Sequence, residues 1–334
     1  MGKVLVQKRT PRLSRKKKAS FQTKLGKYYV GDVESLLEGD LGKSLAGKVQ
    51  LILTSPPFPL NRKKRYGNKT GEDFKKWLAD VGKSLSKLLT KNGSLVIEMG
   101  NSWIPGRPVQ SLLHLESLIA LVQADGSGLR LCQQFICYNP ARLPSPAQWV
   151  TIDRIRMTDS FTHVWWLSKT DFPKADNRKV LRPYSQSMRA LLKSKKYNHG
   201  KRPSEHRISR KGFLKNNTGS IAHNLFELEA LDTENPPRLP SVMRLANTIA
   251  TDEYLRRCRK RNIEPHPARM PIGLANFFIS FLTDKGDLVL DPFAGSNTTG
   301  FSAETLKRKW VGLEINAQYA TQAKLRFQKS KKKN

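Results

Sequence analysis

The segment DLVLDPFAGSNTTG, residues 287–300, constrains the fold of this chain more than any other stretch. An apolar run ends at Asp291, and a loop of Gly, Ser, Asn and Thr then leads toward a helix. Ligands of open α/β sheets sit beyond the carboxyl ends of the strands, where loops of this kind leave backbone N–H groups free. Gly295 lets the chain approach a ligand closely, and Asn297 tolerates a left-handed backbone better than most non-glycine residues. A second apolar strand, WVGLEI, carries Glu314 at its end, 23 residues after Asp291. That is about the spacing at which an acid accepts hydrogen bonds from ribose hydroxyls in a βαβ nucleotide site. The chain has neither the GKS or GKT of a P-loop hydrolase nor the GxGxxG of a dinucleotide site.

The same alternation runs back through the chain. YYVGD is followed by a short amphipathic stretch and by the apolar run Val49 to Leu53, which stops at TSPPF. Phe74 to Leu89 repeats apolar positions three and four apart, as a helix packed on a sheet does, and SLVIEM is a continuous apolar run suited to a buried parallel strand. Gln110 to Asp125 reads as a helix, and LCQQFICYN and HVWWLSK as strands. After a stretch without strong periodicity from Leu181 to Asn224, regular structure is expected to resume with a helix over Gly273 to Thr283. The pattern predicts an α/β fold with a mostly parallel sheet.

Sixty basic residues against 27 acidic ones give a formal charge of +33, a field that draws in a polyanion, with nucleic acid the leading partner. Residues 1–20 hold eight Lys or Arg, no acid and few large apolar side chains, which predicts a flexible basic arm; residues 327–334 form a shorter basic tail. Between Leu181 and Asn224 eleven Lys or Arg face one Glu, interleaved with Tyr184, Tyr197, His199, His206 and Phe213, a mixture suited to phosphates and base edges. The residues expected to contact DNA there are Arg189, Lys195, Lys196, Lys201, Arg202, Ser204, His206, Arg207 and Lys211. The expected organisation is the arm, a catalytic half (21–180), a target-recognition region (181–260), a cofactor-binding half (261–326) and the tail. Cys132, Cys137 and Cys258 have no metal-finger or CxxC spacing, so neither a zinc site nor a disulfide framework is expected. No apolar stretch approaches the roughly 18 to 20 residues of a membrane span, and a cytosolic location, close to the nucleoid through DNA, is expected.

TSPPF reads either as a proline-stiffened turn or as the seat of the reacting chemistry, and the second reading can be stated in detail. Pro56 and Pro57 fix their own φ and restrict the residue before each, so the turn holds its carbonyls in set directions at a strand's carboxyl end. The exocyclic amine of cytosine is a poor nucleophile because its lone pair is delocalised into the ring. Hydrogen bonds from that amine to the Ser55 hydroxyl and the Pro56 carbonyl favour a more tetrahedral nitrogen, and Phe58 is placed to stack on the base. Such an amine lies out of reach inside a duplex, so the base must be flipped at a cost of about a few kcal/mol.

Together these segments resemble the β-group of DNA amino-methyltransferases, in which the substrate-side motifs precede the S-adenosylmethionine motifs. The likeness is greatest to the N4-cytosine branch and, within it, to the PvuII type. TSPPF matches the catalytic motif, DPFAGSNTTG the methionine-binding loop, WVGLEI the strand bearing the ribose carboxylate, and YYVGD the segment whose acid, Asp32, contacts the cofactor adenine. HPARMP matches the helix-opening segment beside the methionine end, with Pro271 starting the helix, and SLVIEMGN has Glu98 where the PvuII type carries a shorter acid. YNPARLPSPAQWV, VWWLSKT and RPSEHRIS extend the likeness over most of residues 27–325. The resemblance implies a mixed, mostly parallel sheet with helices on both faces, plus a separate target-recognition region. It also implies S-adenosylmethionine as cofactor, held by Asp32, Pro271, Asp291, Phe293, Gly295, Ser296, Asn297, Thr298 and Glu314. Site-specific N4-cytosine methylation of double-stranded DNA follows, by a monomer serving restriction-modification beside an endonuclease that shares its site without touching it. Adenine N6 methylation is the alternative within the class, and an inactive nucleic-acid-binding protein the one outside it. C5 methylation fits poorly, because no Pro-Cys nucleophile is present.

Overall fold

The computed structural model describes residues 18–58, 71–228, 243–245 and 253–328. Its strands are β1 (Phe21–Gln22), β2 (Gly26–Val30), β3 (Val49–Thr54), β4 (Leu89–Met99), β5 (Arg130–Tyr138), β6 (Phe161–Ser168), β7 (Gly200–Lys201), β8 (Arg207–Ile208), β9 (Leu225–Leu228), β10 (Met243–Leu245), β11 (Leu288–Asp291) and β12 (Lys309–Glu314). Among the described residues ten of these form one sheet in the order β1-β2-β12-β11-β3-β4-β6-β5-β9-β10, and β7 with β8 makes a separate hairpin. Every pairing from β2 to β4 is parallel, β6 is antiparallel to both its neighbours, and β9 and β10 continue parallel to β5.

Both faces of this sheet are covered, which is why its central strands read as unbroken apolar runs rather than alternating ones. All six residues of β3 are buried. Leu51 and Leu53 point into one core with Val289, Trp310 and the helices α7 (Ile272–Leu282), α8 (Thr298–Thr305) and α9 (Ala317–Lys324). Ile52 points the other way, into a core with Leu290, Leu95 and the helices α1 (Val33–Glu38), α2 (Asp40–Leu45), α3 (Gly71–Ser86) and α4 (Leu113–Gln123). The buried stripe of α3, Phe74, Trp77, Leu78, Val81 and Leu85, has the expected helical spacing.

The connections place the site. From β11 the chain crosses through α8 to β12 on one side, and from β3 it crosses through α3 to β4 on the other. Neighbouring strands whose crossovers leave in opposite directions open a crevice beyond their carboxyl ends, the topological switch point of an open α/β sheet. Here that crevice opens beyond the strand ends marked by Asp291 and Thr54.

Two expectations need correction. The stretch 181–224 holds a helix, α5 (Gln186–Ser194), capped by the Ser185 hydroxyl on the Met188 N–H and with no buried residue. Regular structure also returns before Gly273, in β9, β10 and α6 (Glu253–Lys260). These elements are short, and α6 is so densely charged that its buried Tyr254, Leu255 and Cys258 make only a faint apolar pattern. Ser20 already donates to the Tyr28 carbonyl at the sheet edge (2.8 Å), so the basic arm ends before it; residues 1–17 and 329–334 lie outside the described part. No helix among the described residues is long and apolar enough to cross a membrane.

Candidate active site

A cavity of about 690 Å³ opens along the carboxyl ends of the sheet. Its polar residues follow the strand order: Asp32 after β2, Glu314 ending β12, Asp291 ending β11, Ser55 after β3, Glu98 near the end of β4, Thr162 at the start of β6, and Asn139 and Arg142 after β5. Each step is one interstrand spacing, roughly 4.8 Å. The cavity is thus a groove that can hold two ligands end to end.

Asp291 joins the two halves. Its Oδ1 accepts from the Thr54 hydroxyl (2.7 Å) and the Phe293 N–H (3.1 Å), and its Oδ2 from the Thr299 hydroxyl (2.8 Å). Burial pushes its carboxyl up to about 6 despite these donors. The strand carrying TSPPF is therefore fastened to the strand and helix that frame the loop Pro292–Asn297.

That loop has the backbone its residues suggest. Gly295 has φ +47° and Asn297 φ +58°, and Asn297 caps α8 by accepting from the Gly300 N–H (3.1 Å). A Cβ on Gly295 would meet His266 Nε2 at 2.9 Å, so conformation and space both call for glycine. Three further groups brace the loop. The Tyr28 hydroxyl donates to the Gly295 carbonyl (2.8 Å), Arg326 donates through Nε to the Ser296 carbonyl (2.7 Å), and Glu314 Oε2 accepts from the Gly295 N–H (2.9 Å). Glu314 Oε1 accepts from the Asn316 N–H (2.9 Å), and burial raises this carboxyl against both donors. Tyr28, fully buried beside Glu314 and Asp291, keeps its proton because burial and both acids hold its hydroxyl well above the usual range.

On the other side, Ser55 is exposed to the cavity, while Pro56 and Phe58 are buried behind it. Phe58 meets Phe74 edge to face (5.6 Å between centroids); Phe74 packs on Trp77 (5.7 Å) and Trp77 on Phe293 (5.5 Å). One aromatic wall thus runs from TSPPF to the DPF turn. Phe58 is 8% exposed and, from its place in this wall, lines the cavity beside Ser55. Glu98 accepts from the Thr162 hydroxyl (3.3 Å), and burial raises its carboxyl to about 7 against that bond and the nearby Arg142.

Of the residues expected to hold the cofactor, Asp32, Asp291, Phe293, Gly295, Ser296, Thr298 and Glu314 line this cavity. Asn297 and Pro271 do not: Asn297 is fully buried as the cap of α8, and Pro271 sits at the start of α7, one residue past the lining residue Met270. The DNA-contact candidates lie elsewhere, exposed on α5, the β7–β8 hairpin and the loops around them, which an aromatic cluster of Tyr197 with Phe213 (5.5 Å) and His199 (6.4 Å) ties together. Sequence reasoning missed Tyr28, Arg326, Arg269 and Arg142. Arg269 lies in HPARMP, from which only Pro271 was drawn, and its buried Nη1 has no hydrogen-bond partner among the described residues. Tyr28 and Arg326 sit 267 and 30 residues from the carbonyls they hold, those of Gly295 and Ser296; Tyr28 opens YYVGD and Arg142 lies within YNPARLPSPAQWV, but neither was drawn from its segment.

The sheet order, the glycine-bearing loop at the switch point and the acid ending the next strand define the fold of S-adenosylmethionine-dependent methyltransferases. A family model described as DNA methylase, of the N6/N4 type, matches residues 49–325, and the chain belongs to this family. It is therefore a DNA methyltransferase, an enzyme class that takes its methyl group from S-adenosylmethionine. The chain is 38% identical over 313 residues to the type II methyltransferase M.PvuII of Proteus hauseri, covering 93% of this chain and 86% of that protein. It is 26% identical to the DNA adenine methyltransferase YhdJ of Escherichia coli K12, over 86% of this chain and 80% of the relative. Among solved structures, the PvuII DNA methyltransferase, described as cytosine-N4-specific, matches with a TM-score of 0.70 at 32% identity, over 94% of this chain and 90% of that one. The M1.HpyAVI complex with S-adenosylmethionine matches with a TM-score of 0.51 at 18% identity, a likeness of fold.

Proposed function

We propose that the chain methylates the N4 amine of cytosine in double-stranded DNA, acting on a base flipped into the groove beside Ser55. The observation that carries this reading is the fastening of Thr54 to Asp291, which sets Ser55 and the rigid Pro-Pro turn directly against the loop expected to hold the methyl donor. The 32% identity to a cytosine-N4-specific enzyme of the same fold supports the choice of base. Transfer of labelled methyl to duplex DNA, followed by mass analysis of the modified nucleoside, tests it: N4-methylcytosine is expected, and N6-methyladenine alone would overturn it.

The groove fits S-adenosylmethionine. Asp32 and Glu314 offer acceptors toward an adenosine, Gly295 allows close approach, and the buried Nη1 of Arg269, without a partner among the described residues, is a ready donor for the amino acid carboxylate. The cofactor supplies an electrophilic methyl group on a sulfonium sulfur. Ser55 Oγ and the Pro56 carbonyl accept hydrogen bonds from the amine and orient the nitrogen lone pair along the groove. Glu98, one strand further on, is placed to take the proton that the amine must shed, and a carboxyl at about 7 suits that task at neutral pH. Only the ionised carboxylate accepts, so the single-turnover rate is expected to rise with pH through about 7 and then level. Glu98→Gln is expected to flatten that rise, and an unchanged profile would remove Glu98 from proton transfer.

The exposed basic region between Leu181 and Asn224 is assigned to target recognition, and the N-terminal arm to phosphate contacts. Removal of residues 2–17 is expected to weaken binding to all duplexes alike and to lower the salt slope by about 0.9 for each phosphate that the arm neutralises. An unchanged slope would show that the arm does not touch DNA. A restriction-modification role beside an endonuclease of the same specificity, and action as a monomer, complete the proposal.

A further inference from the structure

We infer that Arg142 selects cytosine over adenine by donating from its guanidinium to the O2 carbonyl of the flipped base. This deepens the N4-cytosine reading and rests on it. Arg142 lines the groove at the end away from the cofactor loop, across Glu98 and Thr162 from Ser55. Its backbone is fixed by a tight turn, in which Asn139 accepts from the Ala141 N–H through Oδ1 (3.1 Å) and from the Arg142 N–H through its carbonyl (3.2 Å). The Asn139 N–H in turn donates to the Ser160 carbonyl (2.8 Å) and ties this turn to the start of β6.

The guanidinium is held as well. Nη1 donates to the Phe161 carbonyl (3.1 Å), its one side-chain hydrogen bond among the described residues, which leaves donors of the rigid fork available toward the groove. Phe161 begins β6, which lies two strands from β3, so the fork sits roughly 10 Å from the Ser55 turn. A pyrimidine with one hydrogen bond at each end, from its amine to Ser55 and from its opposite carbonyl to Arg142, spans about the same distance.

The two candidate bases differ at that far end. Next to the ring nitrogen beside its amine, cytosine carries O2, a strong acceptor, whereas adenine carries C2–H. With adenine in the groove the fork would lose its water without gaining an acceptor, and a site built around a hydrogen bond rejects most strongly the analogue that cannot make it. Lysine offers a single point donor and no fork, so it is a partial substitute.

The test compares single-turnover methylation of a duplex with cytosine at the target position and the same duplex with adenine there, alongside affinity for a duplex abasic at that position. The wild-type chain is expected to favour cytosine strongly. Arg142→Ala is expected to slow cytosine methylation about 10- to 100-fold and to leave adenine methylation equal or faster, so that the preference collapses. Arg142→Lys, which keeps the charge, is expected to fall between. Unchanged affinities for S-adenosylmethionine and for the abasic duplex are expected in both variants. Retention of the wild-type cytosine-to-adenine ratio in Arg142→Ala would overturn the inference and leave the N4-cytosine reading intact. So would weaker binding to the abasic duplex by the same factor as the fall in rate, since that marks a phosphate contact. A wild-type chain that methylates adenine alone would overturn both.

Discussion

Ser55→Ala is expected to slow methyl transfer in a single turnover by about tenfold to a thousandfold, the scale of removing one positioned hydrogen bond from a transition state. The hydroxyl is one of two acceptors offered to the amine, and its loss leaves the Pro56 carbonyl alone to hold the nitrogen. Affinity for S-adenosylmethionine should hardly change, because Ser55 takes no part in the bonds that fix the cofactor loop, which run through Asp291, Tyr28, Glu314 and Arg326. Pro56→Ala is expected to lose rate as well, through a looser turn and a misplaced amine. Rapid-quench measurement with enzyme in excess over DNA reads the step directly. A wild-type rate in Ser55→Ala would make TSPPF a structural turn and move the catalytic assignment elsewhere.

What the sequence made legible follows from how local each signal is. Val49–Leu53 and Leu288–Leu290 announced buried strands because both faces of the sheet are covered, and the left-handed geometry at Asn297 followed from a residue type that tolerates it. The groove draws residues from the ends of seven strands and from the segment before α7, and only those embedded in local motifs could be read from the sequence. Arg142 and Arg269 are single cations in a chain with sixty; both lie in segments that carry the resemblance, YNPARLPSPAQWV and HPARMP, but only the fold turns them toward the groove. Phe58 is half legible for a related reason: an aromatic after a Pro-Pro turn suits stacking on a ligand, but its edge-to-face contact with Phe74 is visible only in the fold. The short elements β9, β10 and α6 were missed because too few residues are buried in them to set a period.

The same fold changes what is expected of Glu314. As a strand-end acid it would act on the cofactor alone, yet its two oxygens also receive the N–H groups of Gly295 and Asn316, so it shapes the loop that the methionine end must meet. Glu314→Ala removes the acceptor for the ribose and releases that loop together. With each lost charged hydrogen bond worth roughly 1.5 to 3 kcal/mol, the dissociation constant of S-adenosylmethionine is expected to rise about 10- to 100-fold for each bond to the ribose that is lost. The two N–H groups left in a buried site should also lower the stability of the chain, by about 1 to 3 kcal/mol for each that finds no water. Glu314→Gln separates the two effects. Its amide oxygen can keep one N–H partner while its NH2 opposes the other, so part of the stability should return while cofactor affinity stays low. Calorimetric titration with S-adenosylmethionine and thermal unfolding of both variants read the two quantities. DNA affinity measured without cofactor should stay close to wild type, because Glu314 at the end of β12 lies two strands from Ser55 after β3, where the base-holding half of the groove begins, and five from Arg142 after β5, where it ends. An equal fall in DNA and cofactor affinity in the better-folded Gln variant would show that Glu314 supports the whole groove rather than its cofactor end.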